Sequence, residues 1–546
     1  MTVVWRNIKR LVFLCHLAFA IFCAGLAAHA DNYRADNYMP ENSGVELRET
    51  NLPIVFINTG TTSAPTSVIH RDYYTTARMK IISNADGINY GDTLFHPNQT
   101  VDYDGWIALK YRGHSSFSLS EKKPYTVKTL LTSDLNGRKR KAPLMGMPAD
   151  NDWALLAPYA DRSLIRDVLM MVLARPYFEY VPRMRHCELV LDGTYYGVFV
   201  LSERITKGRH RLDLTDPGDE GDALTGDYLV EVDHNDEPYY YVSKYPTQDA
   251  NGKPYAINNE VYYQYKHPDY DDMVPQHPQQ LQYLQSWLDQ TEDVLASHSS
   301  LFSTISSFID IQSFIDYQLS QEFAGNVDAY RLSTPIYKRR DSADPRMKTS
   351  LWDFNIAFGN CSYGDRTDIW HYDNQHLKAT EVYKVPFWWM RLMQEPEYVA
   401  DLKQRWAEYR TGQYAETNVS RVIDSLANLL IVHGAVERNY TAHPIWGREV
   451  WPVPNYKVVD TYEKEIAYLK DWIARRTAWL DKQLDFFQSS LEIDDLELGS
   501  SYTRHDRKIY NLLGRQLMNS VPVNKQSHRR LYIVRYSDGT TRKVWE

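Results

Sequence analysis

The feature that most limits the fold is a change of period along the chain. Up to about residue 201 the apolar residues fall in short runs of strand type, and from Gln279 onward they recur at helical spacing. Residues 51–57 form an apolar, β-branched run and read as a buried strand. Further strands are predicted at 78–82 and 106–111, and the polar–apolar alternation of 123–128 predicts another. Leu164, Val168, Met171 and Val172 mark a helix over 163–175 that Pro176 stops. Asp192-Gly193, between runs at 187–191 and 195–201, is a hairpin turn signal. Residues 234–276, rich in Tyr, Asp, Asn and Pro, show no period beyond a short strand near Val261 and read as an elaborated loop. Leu281, Leu284, Leu288 and Val294 mark one later helix, and Ile311, Phe314, Ile315 and Leu319 another. Strands are predicted at 333–338 and 347–352, and helices through most of 387–487, with a long amphipathic one over 463–484. Strands first and helices later specify an α+β domain.

The two ends read differently from this body. Arg6, Lys9 and Arg10 precede a nearly unbroken apolar stretch, with His16 the exception, which closes on Ala28-His29-Ala30 before the chain turns polar at Asp31. That layout predicts a cleaved secretory signal peptide over 1–30, hence a secreted or cell-surface protein with no transmembrane segment after cleavage. Cys15 and Cys23 leave with it. Cys187 and Cys361 remain, and in an oxidising compartment they could pair; two thiols cannot supply a four-thiolate zinc site. Net charge is −9 with no long basic run, which does not suggest a nucleic-acid partner. The expected main domain spans 31–490, followed by a small all-β tail over 491–546 with apolar runs, an Asp538-Gly539 turn and a final basic strand.

Four segments carry candidate chemistry. Residues 111–116, Tyr-Arg-Gly-His-Ser-Ser, form a small-residue loop after a strand that can turn backbone N–H groups toward an anion, and a lysine on the next strand, in Glu121-Lys122-Lys123-Pro124-Tyr125, can reach phosphate oxygens. Asn151-Asp152-Trp153 leads into a helix bearing Arg162 and Arg166. Glu203 ends an apolar strand, where a buried carboxylate needs a partner, and a pair with Lys123 would suit phosphate positioning. Asp328 and Asp353 stand 25 positions apart across an expected hairpin, so both carboxylates can meet in one cleft. Such a pair serves phosphoryl transfer, with one carboxylate on the nucleophile and one on a divalent cation, or equally glycoside hydrolysis as acid and base.

Taken in order, Arg112 to Ser116, Lys122 to Tyr125, Asp152-Trp153 to Arg166, Tyr195 to Glu203 and Trp352 to Gly359 resemble the motifs of the CotH family, atypical kinases first met as spore-coat proteins. The resemblance covers roughly 50–410. It implies a kinase-like fold with altered loops, bound ATP with Mg²⁺ or Mn²⁺, and transfer of phosphate to Ser or Thr of an envelope or secreted protein. It implies that Arg112, Ser115, Ser116 and Lys123 hold the nucleotide, with Glu203 pairing Lys123. Asp328 would be the catalytic aspartate, and Asp353 with Asn355 would hold the metal. Asn355 stands where the family pattern has a second Asp, which keeps a coordinating oxygen but removes a charge. The other reading is a weakly active or inactive binding protein for a glycan or envelope component, with aromatics near Tyr239 and Tyr263 as its contact surface. The C-terminal tail resembles the sorting tail of type IX secreted bacterial proteins, which implies contact with secretion machinery.

Overall fold

Seven strands close into a barrel: β1 (Ile54–Asn58), β2 (Thr75–Ile82), β3 (Val101–Tyr111), β4 (Tyr125–Leu130), β5 (Asp152–Leu156), β6 (Met184–Leu191) and β7 (Thr194–Glu203). Their order around the barrel is β6-β7-β5-β4-β3-β2-β1, and β1 returns to β6 as the parallel pair that closes it. The computed structural model describes residues 44–60, 68–299, 301–363, 365–378, 380–452, 459–486, 507–510, 531–536 and 541–545. The expected signal peptide and most of the expected tail lie outside these residues.

The continuous apolar run of β1 has its reason in two-sided burial. Val55 and Ile57 pack with Met79, Ile107 and Val127, whereas Ile54 and Phe56 pack with Leu47, Ile82 and Tyr195. Asp192 and Gly193 both adopt positive φ (47° and 78°) in the β6–β7 turn, as a two-residue hairpin requires.

A second, antiparallel sheet runs β9-β10-β8-β11-β12, made of β8 (Tyr228–Val232), β9 (Tyr240–Val242), β10 (Tyr262–His267), β11 (Thr334–Lys338) and β12 (Lys348–Thr349). The stretch 234–276, expected to be a loop with one short strand near Val261, supplies that strand as β10 and a second, β9, that was not expected. Its Tyr-rich sequence hides the strand signal because the outward positions are aromatic too. Helix α1 (Arg166–Ala174) follows the barrel strand β5. The later helices are α2 (Pro278–Ala296), α3 (Ile311–Ala324), α4 (Trp388–Leu392), α5 (Pro396–Thr411), α6 (Glu416–Ile431), α7 (Ala435–Ala442) and α8 (Tyr462–Gln483). From Phe314 to Ala324 every residue of α3 is buried, so this helix is the axis around which the helical part packs. Thus the first part is strand-rich and the second helical.

Two buried guanidiniums of the helical part meet carboxylates. Arg166, fully buried, pairs with Asp161 and with Glu465 at 2.8 Å, and its Nε donates to the Ala357 carbonyl at 3.1 Å. Arg476, equally buried, holds Glu322 at 2.8 Å, and Tyr330 donates to the same carboxylate at 2.9 Å.

The described residues up to 486 form one compact unit and those from 507 onward a second. In the second, Arg507–Tyr510, Leu531–Tyr536 and Thr541–Trp545 form an antiparallel three-stranded sheet in sequence order. Among the described residues no single helix is long and apolar enough to cross a membrane, though the bent pair α6 and α7 passes on length and composition together.

Candidate functional site

The site is built where the loop after β3 meets the second sheet. That loop carries Gly113 at φ 83°, and a Cβ there would lie 2.1 Å from Ser116 Oγ, so the sharp turn requires glycine. One helical turn, Ser115–Ser118, follows. His114 stacks on His234, just past the end of β8, with ring centroids 4.6 Å apart. Arg71 lies over Phe117 and 3.9 Å from Asp236. The loop thus spans the cleft between barrel and sheet.

The two expected aspartates are delivered by α3 and by the β11–β12 hairpin. Helix α3 ends at Gly325 in the left-handed conformation, where a Cβ would meet the Trp472 ring at 2.6 Å. The next residue, Asn326, donates from Nδ2 to the Asp353 carbonyl at 3.0 Å, and its Oδ1 accepts from the Asp328 N–H at 3.2 Å. One amide therefore fixes the backbone of both. The strands between them pair Ile336 with Thr349 and Tyr337 with Lys348, the hairpin the spacing suggested. Asp353 itself has φ 63°, a strained conformation for a residue with a side chain and a frequent mark of functional sites. The N–H of Phe354 donates to Asp167 at 2.7 Å, and Asn355 donates from Nδ2 to Asp353 Oδ1 at 2.7 Å.

These carboxylates repel one another. Burial, then the like charges of Asp167 and Asp328, hold the Asp353 carboxyl far above the usual carboxylate range, against the pull of Arg112. Burial also raises Asp328, which Arg331 steadies through a 2.7 Å ion pair. Asp167 and Asp233, neither singled out from the sequence, join the cluster. Asp167 lay hidden in an otherwise apolar helix. Asp233 directly follows the apolar strand β8, the position that had drawn attention to Glu203 on β7.

Opposite stands a basic wall. Arg112 lies over the Trp352 ring, 5.1 Å from its centroid, and its Nη1 is buried without a partner. Burial, followed by the neighbouring charge of Arg204, lowers its guanidinium to about 10. Arg112, Arg204, Lys266, Glu231 and Trp352 line a narrow cavity of about 60 Å³, well below the roughly 300–1,000 Å³ of sites that enclose an organic ligand. It has room for a phosphate-sized group. Arg204 pairs with Asp152 at 3.0 Å and Lys266 with Glu231 at 3.2 Å, which leaves Arg112 as the wall's unmatched donor.

Register overturns one expected pair. Glu203 aligns with Trp153, which aligns with Val127, so Lys123, two residues before β4 begins, lies four residues from that level, about 13 Å at strand rise. Glu203 instead holds Arg183 at 3.0 Å and accepts from Tyr180 and from the Arg183 N–H. Lys123 donates to the Phe117 carbonyl and lies over that ring, tying down the Ser115–Ser118 turn. Its neighbour Lys122 is buried against the Val198 carbonyl and Asn439 Oδ1. Ser115 and Ser116 sit in the spanning loop, half-buried. Of the aromatics expected to form a contact surface, Tyr239 is exposed, but Tyr263 is a core residue donating to Glu292 at 2.8 Å. Cys187 and Cys361 are free buried thiols in separate apolar clusters.

Among the described residues no three His, Cys, Asp or Glu side chains are arranged as a ready metal-ligand set. The Asp353 carboxylate and the Asn355 amide oxygen are nonetheless donors of the hard kind that Mg²⁺ accepts, since such an ion takes one or two carboxylates and completes its shell with water and substrate phosphates. The excess negative charge at Asp353 is what a cation would relieve.

A strand barrel joined to a helical body, with crowded carboxylates and an unmatched guanidinium in the cleft between, defines a mixed α/β protein with a candidate site in that cleft. Residues 109–480 match the family model for CotH kinase protein. The chain belongs to the CotH family, and so to a group of atypical kinase-like proteins. No curated protein matches it.

Proposed function

We propose that this protein is a secreted atypical kinase that transfers the terminal phosphoryl group of ATP to a Ser or Thr hydroxyl of an envelope or secreted protein. The observation that carries the reading is the joint clamping of Asp328 and Asp353 by Asn326, opposite the unpartnered Nη1 of Arg112. Asp328 accepts a hydrogen bond from the acceptor hydroxyl and takes its proton as the hydroxyl oxygen bonds to the terminal phosphorus and the bond from that phosphorus to the departing ADP breaks. Arg112 neutralises phosphate charge as it builds up. Asp353 with Asn355 would hold Mg²⁺ or Mn²⁺, which when bound supplies positive charge between the phosphates. The spanning loop, with Ser115 and Ser116, would cover the phosphates and limit water; the small basic cavity takes one phosphate, and the base lies in the open cleft beyond. The N-terminal signal layout supports export, and the tail's likeness to type IX sorting tails supports contact with secretion machinery.

One observation favours a second reading, a weak or inactive binding protein on the same scaffold. Asn355 donates to Asp353 Oδ1 and so engages an oxygen that a metal needs. The test is intact-mass measurement after incubation with ATP and Mg²⁺ or Mn²⁺, with Asp328→Ala and Asp353→Ala alongside. A metal-dependent gain of one phosphate, absent in both variants, establishes the kinase. Absence of both mass gain and any thermal shift with ATP establishes the binding protein.

A further inference from the structure

A second cavity lies away from the cleft, between the 245–252 loop, residues 372–373 and helix α4, and none of the residues lining it lines the basic cavity. Its volume is about 520 Å³, within the roughly 300–1,000 Å³ of sites that take small organic ligands. One wall is apolar. The rings of Tyr245 and Phe387 stand 5.2 Å apart at 50°, beside Met390. The Tyr245 hydroxyl donates to Asp293, which pins that ring.

The other wall is polar and nearly dry. Arg391 is 6% exposed; its Nη1 is taken by Glu395, but its Nε has no partner. A buried donor left unpaired keeps its full desolvation penalty, so it calls for a partner the chain does not supply. Asp373, also 6% exposed, lines the same cavity; its Oδ1 accepts from the Gln375 N–H at 3.1 Å and its Oδ2 from Gln375 Nε2, which fixes the carboxylate and leaves each oxygen one further lone pair. Gln248 adds an amide. Glu395 already balances the Arg391 charge, and an anionic ligand would face Asp373, while a cationic one would face the guanidinium. What remains is an uncharged ligand with one apolar face and several hydroxyls.

We propose that this cavity binds a neutral monosaccharide unit, with the sugar face on Tyr245 and Phe387 and its hydroxyls between Arg391 Nε and Asp373. Aromatic platforms beside buried donor–acceptor pairs suit such rings, whose C–H faces are apolar and whose edges are polar. The proposal is independent of the kinase reading, because no residue is shared. It moves glycan recognition away from the Tyr239–Tyr263 region, where Tyr263 is core, to a neighbouring site.

The full chain would be titrated calorimetrically with glucose, galactose, mannose and N-acetylglucosamine, and with glucuronate and glucosamine as charged counterparts. Saturable binding of at least one neutral sugar is expected, weakened at least tenfold by Tyr245→Ala and by Arg391→Lys and retained in Tyr245→Phe. The last variant keeps the ring and loses only the bond to Asp293, so it separates lost stacking from lost folding. Absence of binding across the neutral sugars overturns the proposal. So does binding that both disruptive variants leave unchanged, or a preference for glucuronate or glucosamine.

Discussion

The helical body and the cleft contain buried charge of opposite kinds. Around Arg166 and Arg476 each guanidinium meets carboxylates and carbonyls, with Arg166 Nη2 held by Glu465 as an ion pair at 2.8 Å. In the cleft Asp353 faces Asp167 and Asp328, while Arg112 keeps an unpaired nitrogen against Trp352. Matched charge fixes one arrangement of the chain and leaves nothing to bind. Mismatched charge is costly, and a proton or an oppositely charged ligand relieves it. Perturbed ionisation of this kind concentrates at functional sites.

The largest effects are expected where the matched network is broken. Arg166→Met leaves Asp161 and Glu465 buried without their cation and frees the Ala357 carbonyl. Losing one member of a buried ion pair costs about 3–5 kcal/mol. Urea unfolding should show that loss with or without ligand present. A variant of wild-type stability would remove the distinction between the two regions.

Asp353→Asn should do the reverse. It removes a repelled charge, so the metal-free protein should melt higher, by on the order of a few degrees, while metal-dependent phosphate transfer is lost. The sign with pH follows. A carboxyl whose folded pKa lies above its unfolded value binds more protons in the folded state, so its contribution favours folding at low pH and is withdrawn as pH rises from about 4 through the raised folded value. For Asp353 that withdrawal should extend to about pH 8. Melting profiles of wild type from pH 5 to 9 should therefore fall more steeply than those of Asp353→Asn, and saturating Mn²⁺ should bring the two together.

Much of this architecture was legible in the sequence for local reasons. The Asp192-Gly193 turn, the two-sided burial of β1 and the helical spacing of α3 and α8 are properties of short windows. The convergence of Asp328 and Asp353 was also legible, because a hairpin separates them. What stayed hidden depended on register and long-range packing. Lys123 and Glu203 suit each other chemically, and only the alignment Glu203–Trp153–Val127 shows that they sit at different heights of the barrel. Asp167 gave no signal, since the two charges that open the run Arg-Asp-Val-Leu-Met-Met read as a helix's solvated start until the tertiary fold brings Phe354 to Asp167. Arg391 and Asp373 are ordinary polar residues until the fold places them around one cavity.

The same register argument yields the smallest expected effect and the finest test of the comparison. Were Lys123 the cation that grips phosphate, Lys123→Ala would abolish ATP-induced stabilisation. In the structure it anchors the Phe117 carbonyl, and Arg112 is the unmatched donor in the basic cavity. Lys123→Ala should therefore cost less than about 1 kcal/mol of stability, as partly exposed substitutions do, and keep most of the ATP-induced thermal shift. Arg112→Ala should lose that shift altogether, and Arg112→Lys most of it, because a lysine cannot reproduce the planar fork stacked on Trp352. If the Lys123 variant lost the shift and the Arg112 variants kept it, the anion site would belong to the loop and not to the wall, and Arg112 would be one more orphaned buried cation.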